Sequence, residues 1–168
     1  MTKKYNSVLV IGMGLIGSSI SRALVEHHVA NSVYGLDSDD KVIKKCQDLN
    51  LLVQGETNLT NFDLQFDLII ICTPLSAYKN IFDSLSEFIS QPTLITDVGS
   101  TKMSTISDFK NAVINNNITF VPSHPIAGLE KSGPEYGFSK LFDNRYCILT
   151  PYEKNDKAVS SITEMWKS

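Results

Sequence analysis

The sequence predicts an α/β fold, a doubly wound and mainly parallel sheet with helices on both faces. Two observations carry this. Val8–Ile11 is a continuous apolar run, and another lies within Asp67–Thr73; such runs suit strands buried on both faces of a parallel sheet. Segments with helical spacing separate the strand-like runs, and this alternation is the pattern of parallel strands joined by right-handed crossovers.

The elements follow in order. Val8–Ile11 opens the first strand, after which Ile16, Ile20, Ala23, Leu24 and His27 recur at helical spacing. Ser32–Leu36 is the second strand. Val42, Ile43, Cys46 and Leu49 mark a helix that stops near Asn50, and Leu51–Gln54 is a short third strand. Residues 58–65 are polar and rich in turn formers. The run ending at Thr73 is the fourth strand, stopped by Pro74. Ser76 is placed to cap the next helix, whose stripe is Ile81, Phe82, Leu85, Phe88 and Ile89. Thr93–Thr96 is the fifth strand. Met103, Ile106, Phe109 and Val113 mark a helix ended by Asn115–Asn117, and Ile118–Val121 is the sixth strand. Residues 123–144 lose periodicity, and loops this long inside a compact domain are usually functional. Tyr146–Thr150 is a seventh strand and Asp156–Trp166 a helix. The expected arrangement is Rossmann-type, strand order 3-2-1-4-5-6 with an added strand, in one domain over residues 1–168.

Gly12, Gly14 and Gly17 lie between the first strand and the first helix, spaced G-x-G-x-x-G. In that context Gly12 permits a sharp turn, Gly14 lets the backbone approach a pyrophosphate, and Gly17 lets the helix pack close to the strand. The pyrophosphate would rest on free N–H groups at the positive end of the helix dipole. The candidate contacts are Gly12, Met13, Gly14, Leu15, Ile16 and Gly17. Asp37 ends the second strand 20 positions after Gly17, where such a site places the acid that binds the adenosine ribose. Glycine-rich turns are common, and an acid at this point can simply start a turn or cap a helix. The ordered series of strand, turn, helix, strand and acid favours a dinucleotide. An acid repels a 2′-phosphate, and Ser38, Asp39 and Asp40 follow it rather than an arginine; NAD is expected over NADP.

A length of 168 residues suffices for a sizeable core. A net charge of −3 without a basic run gives no reason to expect nucleic acid. No segment approaches the roughly 18 apolar residues of a membrane span, and the N-terminus lacks a signal-peptide pattern. The three cysteines, Cys46, Cys72 and Cys147, are far apart. They fit neither a disulfide framework nor a zinc site, and point to buried free thiols in a reducing cytoplasm. No metal is expected.

Ligands of such sheets bind outside the carboxyl ends of the strands. Cys72–Pro74, Asp97–Lys102 and Ser123–Gly133 reach that edge. Their motifs are I-C-T-P, D-V-G-S-T-K, S-H-P-I-A-G and E-K-S-G, preceded by G-M-G-L-I-G-S-S. Together they resemble the prephenate dehydrogenase family, which includes arogenate dehydrogenases. The pairing of H-P-x-A-G with D-x-G-S-x-K is far more specific than the glycines, and the resemblance runs from about Val8 to the last residue.

The resemblance implies an oxidative decarboxylation in tyrosine biosynthesis. Hydride leaves ring C4 of prephenate for the nicotinamide and a base takes up the hydroxyl proton. The C1 carboxylate departs as CO2, giving 4-hydroxyphenylpyruvate. His124 is then the base, since an unperturbed imidazole titrates near neutrality. Ser100 would bond His124 and the substrate hydroxyl, and could also cap the following helix. Glu130 matches the family's acid at the mouth of the site. Thr73 and Pro74 would flank the nicotinamide riboside, with Gly99 among the cofactor contacts. Lys102 could stabilise an anion or face solvent, and a structural role is preferred. On residues alone, His124 could be a loop histidine in a structural hydrogen bond, and Glu130 a solvated carboxylate. Leu129 stands where the family commonly has Thr or Ser, which affects fine substrate preference.

The family also has a helical C-terminal domain that forms the dimer and supplies an arginine for a substrate carboxylate. The residues given stop before it, and Arg145 matches no such role. The expectation is the NAD-binding half of a homodimeric cytoplasmic enzyme acting on prephenate or arogenate, inactive by itself and independent of nucleic acid and membrane. Another NAD(P) dehydrogenase of the same fold, or a catalytically silent NAD-binding module, is the alternative.

Overall fold

The computed structural model describes residues 4–113 and 115–168; residues 1–3, within the stretch read for a targeting signal, lie outside it. Six strands form one parallel sheet: β1 (Tyr5–Ile11), β2 (Ala30–Leu36), β3 (Gln54–Glu56), β4 (Leu68–Ile71), β5 (Thr93–Asp97) and β6 (Ile118–Val121). Their order is β3-β2-β1-β4-β5-β6, with every neighbouring pair parallel. Helices α1 (Leu15–Glu26), α2 (Asp40–Asp48), α3 (Tyr78–Phe88), α4 (Lys102–Ala112) and α5 (Asp156–Lys167) cover its faces. The fold is the Rossmann type that the strand and helix alternation predicts.

The non-alternating runs have a direct cause. Val8, Val10, Leu68 and Ile70 join Ile20, Leu24, Ile43 and Ile162 in one buried cluster. Leu9, Ile11, Ile69 and Ile71 point the other way and join Phe82, Leu85, Phe109 and Phe120. Successive side chains of a strand face opposite sides, so a strand covered on both sides must be apolar throughout. Each such burial contributes roughly 1.5–3 kcal/mol.

Three details differ from the sequence reading. Leu51 and Leu52 are not strand; they pack from the loop against the first cluster, and the ladder starts at Gln54, opposite Tyr34. Leu52 fills the space over Gly35, where an added Cβ would lie 2.5 Å from its Cδ1. Ser76 caps nothing: it lies inside a 3-10 turn, Leu75–Ala77, and Ala77 precedes α3 without a side-chain cap. The strand predicted at Tyr146–Thr150 is shorter and does not extend the sheet. It is β8 (Cys147–Leu149), paired antiparallel with β7 (Ser123–Pro125), inside the stretch read as loop. Pro122, which lacks an N–H, separates β6 from β7, and its carbonyl accepts from Thr150 N–H at 3.0 Å.

Register places the carboxyl ends together. Ile11 is level with Leu36 and Ile71, and Ile71 with Asp97, so the residues after β1, β2, β4 and β5 share one edge. The connections from β1 and β4 lead to opposite halves of the sheet, and a crevice opens there. Beyond β7, two 3-10 turns, Pro134–Tyr136 and Ser139–Phe142, lie against α1. Phe138 N–H donates to Ser19 Oγ at 3.1 Å, and a Cβ on Gly137 would strike Ser18 Oγ. The last helix is tied back too: Trp166 Nε1–H donates to Ser123 Oγ at 3.2 Å, and Lys4 pairs with Glu164 at 2.6 Å.

All three cysteines are free; Cys46 is buried, whereas Cys72 and Cys147 are only half-buried. Burial pushes the Cys46 and Cys147 thiols up to about 11, and raises Cys72 as well. No helix among the described residues is long and apolar enough to cross a membrane.

Candidate active site

The glycine turn leaves β1 at Ile11. Gly12 has φ 91°, a conformation that side chains disfavour. Its N–H donates to Leu36 O at 2.7 Å, and a Cβ there would lie 2.8 Å from the Cys72 carbonyl carbon. Gly17 faces the Gly12 carbonyl oxygen so closely that a Cβ would collide with it. Gly14 is different. It precedes α1, and nothing among the described residues lies within 4 Å of where its Cβ would be. No side chain caps α1 and no acid stands in its first turn, which leaves its leading N–H groups for an anion. Met13 and Leu15 bury their side chains and Ile16 is half-buried, so this turn offers a ligand mainly its backbone.

Asp37 is oriented by that same turn. Its Oδ2 accepts Met13 N–H at 2.7 Å and its Oδ1 accepts Asp39 N–H at 3.0 Å. Across the edge, Thr73 Oγ1 is buried without a hydrogen-bond partner among the described residues, and Pro74 beside it is exposed. A cavity of about 470 Å³ adjoins the edge, lined by Ile11, Leu36, Thr57, Ala77 and Ile81 among others. Space over Gly14, an uncapped helix start, an oriented carboxylate, an orphaned hydroxyl and an apolar cavity fit a dinucleotide.

The second half of the site is organised by Asp97, at the end of β5 and fully buried. Its Oδ1 accepts Ser123 N–H at 3.0 Å. Its Oδ2 accepts Gly99 N–H at 3.0 Å, Tyr78 O–H at 3.1 Å and Lys102 Nζ at 2.7 Å. Lys102 also donates to Ser123 O at 2.6 Å. Its side chain is 10% exposed, so it neither faces solvent nor stands free for a substrate anion. Burial pulls its ammonium below the usual lysine range, against the opposing pull of Asp97. Burial, and then Asp97, push the Tyr78 phenol up, so it stays protonated and donates to Asp97.

His124 follows Ser123 on β7 and is half-buried. Its Nδ1 lies 3.0 Å from Val98 O. A carbonyl only accepts, so the neutral ring carries its proton on Nδ1 and keeps a lone pair on Nε2. Ser100 is exposed on the turn after β5, and among the described residues no hydrogen bond joins it to His124. It does not cap the helix: Thr101 holds that position, and its hydroxyl bonds Ser104 at 3.0 Å instead. Glu130 and Leu129 are exposed beyond β7, and Arg145 is exposed before β8.

A family model described as "prephenate dehydrogenase, nucleotide-binding domain" matches residues 20–168. The chain belongs to the prephenate dehydrogenase family. A prephenate dehydrogenase of Bacillus subtilis is 32% identical over 169 residues, covering 99% of this chain and 45% of that protein. A cyclohexadienyl dehydrogenase of Zymomonas mobilis is 31% identical over 164 residues, covering 97% and 55%. The chain thus spans about half the length of these relatives. Aquifex aeolicus prephenate dehydrogenase, in complex with hydroxyphenyl propionate and NAD+, superposes with a TM-score of 0.89 at 31% identity, over 96% of this chain and 56% of that one. Synechocystis arogenate dehydrogenase shares the fold at 22% identity, with a TM-score of 0.84 over 96% of this chain and 56% of that one.

In this chain the sequence places Asp97 at the edge but does not reveal its role, nor those of Tyr78, Ser123 and Trp166. One signal was available: an acid ending an apolar strand, with a lysine five positions on.

Proposed function

We propose that this chain is the NAD-binding half of a dehydrogenase that oxidatively decarboxylates prephenate, with His124 as the base. The observation that carries the reading is the Nδ1 bond to Val98 O at 3.0 Å, which leaves Nε2 as the proton acceptor at the sheet edge that also holds the glycine turn. NAD, when bound, supplies the hydride acceptor for ring C4. His124 Nε2 takes the C4 hydroxyl proton as that carbon loses hydride, and returns it to the phenol oxygen as the C1 carboxylate leaves as CO2. Ser100 is an exposed hydroxyl on the adjoining turn, available to the same substrate oxygen. Glu130 sits on the loop beyond and serves as the acid at the mouth. Gly14, Leu15, Ile16 and Gly17 offer the pyrophosphate their backbone N–H groups; Gly12 and Met13, whose N–H groups are held by Leu36 O and Asp37 Oδ2, shape the turn beneath it; Asp37 takes the adenosine ribose, and Thr73, Pro74 and Gly99 the nicotinamide side. The NAD+ and hydroxyphenyl propionate of the Aquifex complex support this cofactor and a ring-bearing acid.

Arogenate shares the reacting ring, and the exposed Leu129, where the family commonly has a hydroxyl residue, favours testing it beside prephenate. With Lys102 engaged internally, the cation for the substrate carboxylates and the dimer contact come from the further half that the relatives possess.

Titration calorimetry tests the cofactor assignment. NAD is expected to bind at least about tenfold more tightly than NADP, or about 1.4 kcal/mol, because Asp37 repels a 2′-phosphate. Equal affinities would remove the basis for NAD. Residues 1–168 alone are expected to give no measurable turnover of prephenate with NAD. Sustained production of reduced cofactor by the purified chain would show that the second half is dispensable.

A further inference from the structure

We infer that Asp97 and Lys102 are a positioning pair that sets the ring tautomer and orientation of His124. The inference rests on the reading of His124 as the base and adds what holds it.

The pair grips the residue before His124 on both of its backbone groups. Asp97 Oδ1 accepts Ser123 N–H at 3.0 Å, and Lys102 Nζ donates to Ser123 O at 2.6 Å. Ser123 O belongs to the peptide unit that leads into His124, so the cation fixes the plane from which the imidazole departs. Asp97 acts a second time. Its Oδ2 accepts Gly99 N–H at 3.0 Å, closing a turn around Val98, whose carbonyl meets His124 Nδ1 at 3.0 Å. One carboxylate therefore controls both the strand that carries the ring and the carbonyl that selects its tautomer.

The bond set has no simpler replacement. Asp97 accepts four hydrogen bonds, from Ser123, Gly99, Tyr78 and Lys102. An amide in its place has one acceptor oxygen and must turn its N–H donors toward some of these donors. A buried charge without its partner is costly, so neither member works alone. Salt bridges of this kind are weak evidence for stability as such; here every bond of the pair leads to the turn after β5 or to β7, except that from Tyr78.

The test is the tautomer of His124 in the 168-residue chain, read from its ring nitrogen chemical shifts by NMR. The parent is expected to show protonated Nδ1 and unprotonated Nε2. In Asp97→Asn that preference is expected to be lost. Should Asp97→Asn fail to fold, the neutral pair Asp97→Asn with Lys102→Gln replaces it, because it leaves no unpaired buried charge. Lys102→Arg is expected to keep the parent signature. A variant with lower melting temperature but the parent tautomer would make the pair merely structural and overturn the inference. The readout does not depend on turnover. If His124 proves not to be the base, the tautomer result still stands or falls on its own.

Discussion

Replacing His124 by Asn, in a form of the protein with the length of its relatives, is expected to slow the chemical step by about 10²–10⁴-fold, the usual loss for a general base. Asn keeps a polar side chain of similar size and can still donate to Val98 O, but it offers no lone pair where Nε2 stands. NAD affinity should change little, because the glycine turn and Asp37 lie elsewhere on the edge. Ser100→Ala should cost less, since it removes one exposed hydroxyl and leaves the base in place. Single-turnover kinetics on folded variants decide the matter. Parent-rate turnover by His124→Asn would make the histidine structural.

The glycine turn supplies the other large effect, and it separates two roles that one motif combines. A Cβ on Gly17 collides with the Gly12 carbonyl oxygen, and neither backbone can yield without moving α1 from β1. Gly17→Ala is expected to lose at least about 3 kcal/mol, or a melting temperature lower by roughly 6–12 °C in a domain of this size. Gly14 has nothing among the described residues within 4 Å of its would-be Cβ. Gly14→Val is expected to melt within a few degrees of the parent and to lose at least about tenfold in NAD affinity, because the added methyls occupy the phosphate's place. Thermal melts and calorimetry on both variants check the pair. Normal NAD binding by Gly14→Val would move the pyrophosphate off this turn.

The fold was legible where burial on both faces leaves its mark. Val8–Ile11 and Leu68–Ile71 read as central strands because each side chain meets one cluster or the other. Leu51 and Leu52 misled because apolar residues beside an edge strand can pack from a loop. β7 was hidden because Ser123–Pro125 is short, contains a proline, and takes its partner from Cys147–Leu149, more than 20 residues away. In the site, spacing singled out Gly12, Gly14, Gly17 and Asp37, since a tight turn and an ordered crossover have local causes. His124 and Ser100 came from motif resemblance; the structure sets them on neighbouring segments without a mutual hydrogen bond. For Lys102 the sequence pointed to a structural role but not to its partner; only the spacing of five positions from Asp97 hinted at it, because a lysine near a loop looks solvated until its carboxylate is placed in three dimensions.

The bond from Trp166 to Ser123 bears on how the molecule assembles. The proposed pieces of the site are scattered along the chain, from Gly12 to Glu130, and the strand that carries His124 is braced by α5. Contacts of such sequence separation form late, because loop-closure entropy precedes their gain. The glycine turn and Asp37 belong to a unit of β1, α1 and β2 that is local in sequence, whereas the Trp166–Ser123 bond closes a separation of 43 residues. The brace from α5 on the strand bearing His124 is therefore expected to form after the pairing of β1 with β2.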